Sequence, residues 1–202
     1  MEQSVNQITV RGSLSSLPEF SYENHGKRFF RFFLEVPRLS GAVDTLPVVA
    51  EETALNAMDL SGGDMLTIFG QIRSHNQRIE GRRRLLIFIF ASSIVCEDGE
   101  PINEVILEGP LCREPVYRRT PLGREICDVM LAVPRSFRRA DYLPCILWGK
   151  TALLGADCHT RQRLRIIGRL QSRIYTKLTE GGAVEHTAYE ISALTAALCE
   201  DE

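Results

Sequence analysis

The chain nearly repeats itself, and this restricts its possible folds more than any other feature. NQITVRGSL begins at Asn6 and NEVILEGPL at Asn103, an offset of 97 residues (103 − 6 = 97). LEVPR (Leu34 to Arg38) is matched by LAVPR (Leu131 to Arg135), and IFGQIRS (Ile68 to Ser74) by IIGRLQS (Ile166 to Ser172). Turn residues keep step too: Gly12 with Gly109, Pro18 with Pro115, Gly26 with Gly123. Chance similarity would not preserve both order and spacing. The chain therefore divides into two homologous domains, 1–98 and 101–202, joined at Gly99-Glu100-Pro101. Its 202 residues suffice for two small domains.

Each half has the same expected layout. A strand (Gln7 to Gly12; Glu104 to Gly109) leads into a loop with Pro and Gly. A second strand follows (Arg28 to Val36; Glu125 to Val133), then a short third (Thr45 to Ala50; Tyr142 to Trp148). A short helical or irregular connection comes next (Glu52 to Met58; Lys150 to Ala156). A long strand (Met65 to Ser74; Arg163 to Tyr175) runs into a hairpin arm with Gly81 or Gly181-Gly182 at its turn. A last strand closes the half (Leu85 to Val95; Thr187 to Leu198). ALTAALCE is rich in Ala, but its counterpart LLIFIFASSIV is plainly β-prone, so it reads as strand. The expected fold class is all-β with short helices: two tandem OB-fold five-stranded barrels. Closing each barrel removes most sheet edges and gives about 100 residues a usable core.

The long strand of the second half, RLRIIGRLQSRIY, carries the first functional signal. Leu164 and Ile166 alternate with Arg163 and Arg165, and Gly168 marks a bulge or bend. Beyond it, Arg169, Gln171, Arg173 and Tyr175 share one face. Cations and a ring on one strand face suit a nucleic-acid platform, although a solvated strand face with an incidental Tyr reads the same way. The third strand adds to this. Tyr142, Pro144, Ile146 and Trp148 share one face and Leu143, Cys145 and Leu147 the other; the second set is the natural core face, which leaves both rings on the outer surface. An outward Trp beside Lys150 is typical of a binding surface; the alternative is an interface or satellite core contact.

The motifs NEVILEGPLCREP, TPLGRE, LAVPR, DYLPCILWGK and IIGRLQSRIY, in this order over residues 103–199, resemble the bacterial single-stranded DNA-binding protein family. The first repeat resembles it more weakly, and the chain looks like a tandem two-OB-domain member. The resemblance implies a protein that coats single-stranded DNA with little sequence preference, in replication, recombination or repair. It implies stacking rings at Phe137, Tyr142, Trp148 and Tyr175. Cations interleave with these rings: Arg118, Arg119 and Arg124 in the first long loop, Arg135, Arg138 and Arg139 around Phe137, Lys150 after the third strand, and Arg169, Arg173 and Lys177 along the long strand and arm. Any one of them alone reads as ordinary surface charge. The resemblance also implies a homodimer, bringing four OB domains together, and replication proteins as partners. The family usually recruits these through an acidic tip closed by apolar residues, whereas this sequence runs directly from its last strand to CEDE.

The first repeat departs from this pattern. Ser40 stands opposite Phe137, Thr45 opposite Tyr142, Glu51 opposite Trp148 and Gln77 opposite Tyr175. Its expected role is therefore assembly, with DNA bound mainly by the second domain. Arg82, Arg83 and Arg84 on its arm are a possible secondary phosphate grip. Phe29-Phe30 and Phe32-Phe33 are too many rings for one small core, so some are expected at an inter-domain contact.

Composition excludes little. A net charge of −2 and a pI near 6.1 mean that any basic surface is local. No apolar run approaches the roughly 20 residues of a membrane helix. MEQSVNQ has no basic region followed by an apolar stretch, so no export signal is expected and the expected place is the bacterial cytosol. Six widely spaced cysteines without a CxxC pair point to reduced thiols, mostly small core residues, and to no metal. Four scattered histidines, no phosphate-cradling Gly loop and no nucleophile signature argue against an enzyme and against a cofactor. The alternative function is a primosome- or recombination-type interaction protein of the same fold with weak DNA binding of its own.

Overall fold

A computed structural model describes residues 5–56, 58–79, 82–179 and 182–199. The first half contributes β1 (Asn6–Asn24), β2 (Lys27–Pro37), β3 (Val43–Glu51), β4 (Met65–Ile79) and β5 (Arg82–Cys96). The second contributes β6 (Ile102–Pro110), β7 (Val116–Arg119), β8 (Glu125–Arg135), β9 (Arg139–Trp148), helix α1 (Lys150–Ala156), β10 (Arg163–Thr179) and β11 (Gly182–Leu198).

In the first half β1 pairs with both β2 and β4, β2 with β3, β3 in parallel with β5, and β5 with β4. The ring of strands closes. The second half repeats the order with β6, β8, β9, β11 and β10, and the Leu111–Leu131 bridge closes it. This is the OB barrel, twice. Alternation drives it: Ile8 and Val10, Leu34 and Val36, Val48 and Ile68 fill the first barrel; Val105 and Leu107, Leu131 and Val133, Leu143 and Ile166 fill the second.

The repeated Gly and Asn residues have matching structural work. Gly12 and Gly109 lie where the barrels close, and a Cβ there would press on the carbonyl oxygens of Glu35 and Ala132. Gly70 and Gly168 sit at register shifts in β4 and β10, where a Cβ would run into the Phe90 and Ser192 carbonyls. The expected bulge at Gly168 is present and has a counterpart at Gly70. Past each bulge, an Asn side chain replaces the main-chain ladder. Asn6 donates to the Ile72 carbonyl at 2.8 Å and accepts from its N–H at 2.9 Å. Asn103 does the same with Leu170, at 2.7 and 2.9 Å. Through their opposite edges β1 and β6 pair with each other, antiparallel from Asn6↔Leu107 to Arg11↔Ile102. The two barrels thereby share one continuous sheet.

Paired clamps fasten this junction. Buried Asp44 of the first half holds Arg38 (Nε–Oδ2 2.7 Å) and accepts from the Ser172 N–H at 2.6 Å; Arg38 also donates to the Ser172 carbonyl at 2.8 Å. Buried Asp141 holds Arg135 at 3.3 Å and Arg73 at 3.0 Å, and accepts from the Ser74 N–H at 2.7 Å. Each aspartate pairs with an arginine of its own half and accepts from a serine N–H of the other, so each buried carboxylate keeps its full set of partners only while the halves are joined.

Several sequence expectations need correction. The segment after the first strand is not a loop: β1 continues to Asn24 and forms a long hairpin with β2, turning at His25-Gly26 (φ 49° and 74°). In the second half the same region holds the short β7. The two connections expected to be helical or irregular differ: the one over Glu52 to Met58 holds a 3-10 turn, Glu52–Ala54, and the other is the α-helix Lys150–Ala156. Of the cysteines, 127, 145 and 158 are buried, but Cys96 and Cys112 are exposed. Gly81, Gly181 and the final acidic residues lie outside the described residues. No helix among the described residues is long and apolar enough to cross a membrane.

Candidate nucleic-acid interface

Leu143, Cys145 and Leu147 of β9 are buried in the barrel, which turns Trp148 to the outer side as the alternation requires. Trp148 is 36% exposed. Its indole N–H donates to Ser192 Oγ of β11 at 3.1 Å, so the ring lies across the open face from β9 toward β11. Gly149, with φ of 56°, turns the chain into α1, and Thr151 Oγ1 bonds both the N–H and the carbonyl of Trp148 at 3.0 and 2.8 Å. That explains the WGK triplet: a ring, a left-handed residue, and the first helical position.

Trp148 borders an open groove of about 1050 Å³. Arg38, Arg113, Arg118, Arg124, Arg169 and Arg173 line it, with Asp128 and Glu190 as the acids. Both acids are engaged: Asp128 with Arg118 at 2.8 Å, and Glu190 with Gln171 at 2.9 Å and Arg173 at 3.8 Å. Among the described residues Arg113, Arg124 and Arg169 have no carboxylate partner, and Arg169 Nε is buried without a hydrogen-bond partner. A buried guanidinium nitrogen left unsatisfied favours an anion at that place.

The groove thus gathers Trp148, Arg118, Arg124, Arg169 and Arg173. The other expected residues lie around it. Tyr142 is exposed at the inter-barrel seam, where its N–H donates to Ser74 Oγ at 2.7 Å. Tyr175 is on the arm formed by β10 and β11, its ring 5.6 Å from that of His186 and 5.7 Å from the Arg173 guanidinium. Phe137 is 94% exposed in the turn Ser136–Arg138, where Phe137 and Arg138 both have positive φ (61° and 55°). Neither residue is glycine, so the turn holds an exposed ring in a conformation that costs energy. Arg119 pairs with Glu125 at 2.5 Å, Arg135 is committed to Asp141, and Lys150 is exposed at the start of α1. Arg83 is exposed and Arg84 half-buried on the first arm. The side chains of Arg82 and Lys177 lie outside the described residues.

Sequence reasoning passed over Arg38, Arg113 and Ser192. Arg38 was within reach, because LEVPR mirrors LAVPR; what the repeat hides is that the first barrel's Arg points into the second barrel's groove. Ser192 carries no local signal.

Burial pushes the Cys127 thiol up to about 11 and the Cys145 thiol well above the ordinary range. The described residues contain no cluster of three or more His, Cys, Asp or Glu suited to a metal ion.

A sequence model described as the single-strand binding protein family matches residues 102–198. Among similar proteins, single-stranded DNA-binding protein B of Bacillus subtilis is 40% identical over 80 residues, covering 36% of this chain and 71% of that protein. The single-stranded DNA-binding protein of Enterococcus faecalis is 36% identical over 81 residues, covering 37% of this chain and 43% of its own length. The chain therefore spans less than half of the second relative. Among solved structures, the wild-type single-stranded DNA binding protein from Thermus aquaticus superposes with a TM-score of 0.82 at 21% identity, covering all of this chain and 96% of that one. At that identity the superposition speaks for the fold: two barrels in tandem, in the same arrangement. On the sequence matches, the chain belongs to the single-strand binding protein family.

Proposed function

We propose that this protein coats single-stranded DNA without reading its sequence, with its main contact surface on the second half. The observation that carries this is the groove that sets Trp148 among six arginines. A single strand offers π faces and phosphates. Stacking on Trp148 supplies about 1–3 kcal/mol per base whatever the base. Arg113, Arg124 and Arg169 meet phosphates and release counterions, so affinity falls as salt rises. Tyr142, Phe137 and Tyr175 extend the path beyond the groove, and Arg119, Arg138 and Lys150 flank it. Arg135 acts chiefly by holding Asp141. The first half, residues 1–98, serves mainly to hold the second in place, and the arm cations Arg82, Arg83 and Arg84 give a further phosphate grip. The protein acts through binding, not catalysis.

Two chains together would present four OB barrels. The outer face of the shared sheet presents Phe69 and Ile167, both exposed and at matching positions of the two halves, which supports a dimer through this face. Light scattering of the chain and of Phe69→Asp with Ile167→Asp tests it: the double substitution halves the mass if the face is the contact.

Quenching of Trp148 fluorescence by oligothymidine, at low and high salt, tests the main reading. Trp148 is the only Trp, so the signal reports one place. Strong quenching that weakens with salt is the expected result. No quenching and no binding at low salt would make the rings interface residues and favour an interaction protein of a replication or recombination assembly.

A further inference from the structure

The first barrel has lost the rings at the four expected positions, yet its open face is not bare. Matching strand pairs define equivalent places in the two halves. Phe29 pairs with Glu51 as Ile126 pairs with Trp148, and Val49 with Phe90 as Ile146 with Ser192. Where the second half has Trp148 reaching toward a small Ser192, the first half has Glu51 facing a large Phe90. The ring has crossed from the third strand to the fifth.

Other rings join it. Tyr22, on the extended β1, stacks on Phe29 with centroids 4.8 Å apart and planes 18° from parallel. Phe29 in turn lies 5.9 Å from Phe90. Phe29 is therefore buried although it points away from the barrel core, and the 40%-exposed Tyr22 forms the outer layer. Cations accompany them. The Arg73 guanidinium is 5.9 Å from the Phe90 centroid, and Arg31 is 5.8 Å from Phe33 on the same side of β2. Arg31 occupies the place of Asp128, so the charge at that point of the face is reversed between halves. Glu51 is drawn aside by Lys27 at 2.9 Å.

The symmetry extends to the neighbour. Arg38 of the first half lines the groove of the second. In the first half, burial pushes the Tyr22 hydroxyl up, and the charge of the counterpart Arg135 partly offsets this.

We propose that this Tyr22–Phe29–Phe90 face, with Arg31, is a second contact surface for single-stranded DNA, built from a different set of residues than the groove at Trp148. The inference rests on the reading that the chain binds single-stranded DNA. One base stacks on the exposed face of Tyr22, which Phe29 and Phe90 hold flat from behind, and Arg31 meets the adjoining phosphate. A strand leaving the Trp148 groove past Arg38 continues onto this face, so its contribution appears only with strands long enough to reach both.

The test uses the full chain and two oligothymidines: one of about 8 nucleotides, within the span of one OB fold, and one of about 30. Trp148 quenching reports the second barrel alone. Ultraviolet crosslinking with 5-iodouracil in the strand, mapped by mass spectrometry, reports the first. The proposal expects a crosslink at Tyr22. It also expects Tyr22→Ala with Arg31→Glu to weaken the long strand roughly tenfold or more while leaving quenching by the short strand unchanged. If Tyr22→Ala lowers the melting temperature, Arg31→Glu alone, at an exposed position, still has to weaken the long strand and steepen no other loss. Quenching at Trp148 with no Tyr22 crosslink and unchanged long-strand affinity overturns this proposal and leaves the main reading standing. A Tyr22 crosslink without Trp148 quenching supports it and overturns the assignment of the main surface. Neither signal overturns both.

Discussion

At one point of the barrel the second half places Trp148, and at the same point the first half places Glu51 tied to Lys27. Around these two residues almost everything else matches: the closing glycines, the bulges, the bridging asparagines and the aspartate clamps. The comparison teaches that the frame and the binding surface answer to different physical demands. A frame residue is held by what it would otherwise collide with or leave unsatisfied. A surface residue is held only by what it touches from outside, and it is free to move to another strand as long as some ring and some cation remain.

The largest test of the shared frame is at the clamps. Asp44→Ala strands Arg38 and the Ser172 N–H, and Asp141→Ala strands Arg73, Arg135 and the Ser74 N–H; each should cost about 3–5 kcal/mol in denaturant unfolding. The two losses should be similar. A clearly smaller loss for one would break the equivalence of the clamps. Gly70→Ala and Gly168→Ala come next, because a Cβ at either meets a carbonyl oxygen of the neighbouring strand. Roughly 1–3 kcal/mol is expected from each, again matched, in the same measurement.

The comparison should then reverse sign at the surface. Trp148→Ala should lose about 1–3 kcal/mol of affinity for oligothymidine, measured by fluorescence anisotropy of a labelled strand. Glu51→Ala removes an acid from the equivalent place and should leave affinity unchanged or slightly raised. Equal losses from both would mean that the halves contribute alike through this position.

The smallest expected effect is alkaline. The buried thiols Cys127, Cys145 and Cys158 are all in the second half; Phe30 and Val48 stand in place of the first two. A thiol whose pKa is raised in the folded state stabilises fully below the unfolded thiol's value, about 8.5, and loses that contribution as pH rises toward the folded value. For Cys127 that window ends at about 11. Hydrogen exchange followed from neutral pH to pH 10 should therefore show the second barrel loosening before the first. Cys127→Ala with Cys145→Val should remove the difference.

Much of this protein was legible as text. The repeat located two domains, because a strand-by-strand frame needs its glycines and its asparagines at fixed intervals. Alternation set Leu143, Cys145 and Leu147 in the core and Trp148 outside, because side chains on a strand point to opposite sides in turn; it did not show that Ile146, on the outer side, is covered. Gly168 announced its bulge. The cations were identifiable as types but not as a site: only folding shows that Arg119 and Arg135 are spent on Glu125 and Asp141, while Arg113 and Arg169 have no carboxylate partner among the described residues and line the groove beside Trp148.

What the residues determined by themselves was local: period, turns, and the identity of the frame. What only the tertiary structure decided was which distant groups meet. The β1–β2 hairpin reads as a loop until β1 is seen bending around to stack Tyr22 on Phe29. Arg38 and Asp44 look like neighbours in one strand pair until they are seen gripping Ser172, 128 positions beyond Asp44. Such contacts depend on barrel closure and on one edge pairing with another, and no stretch of sequence contains both partners.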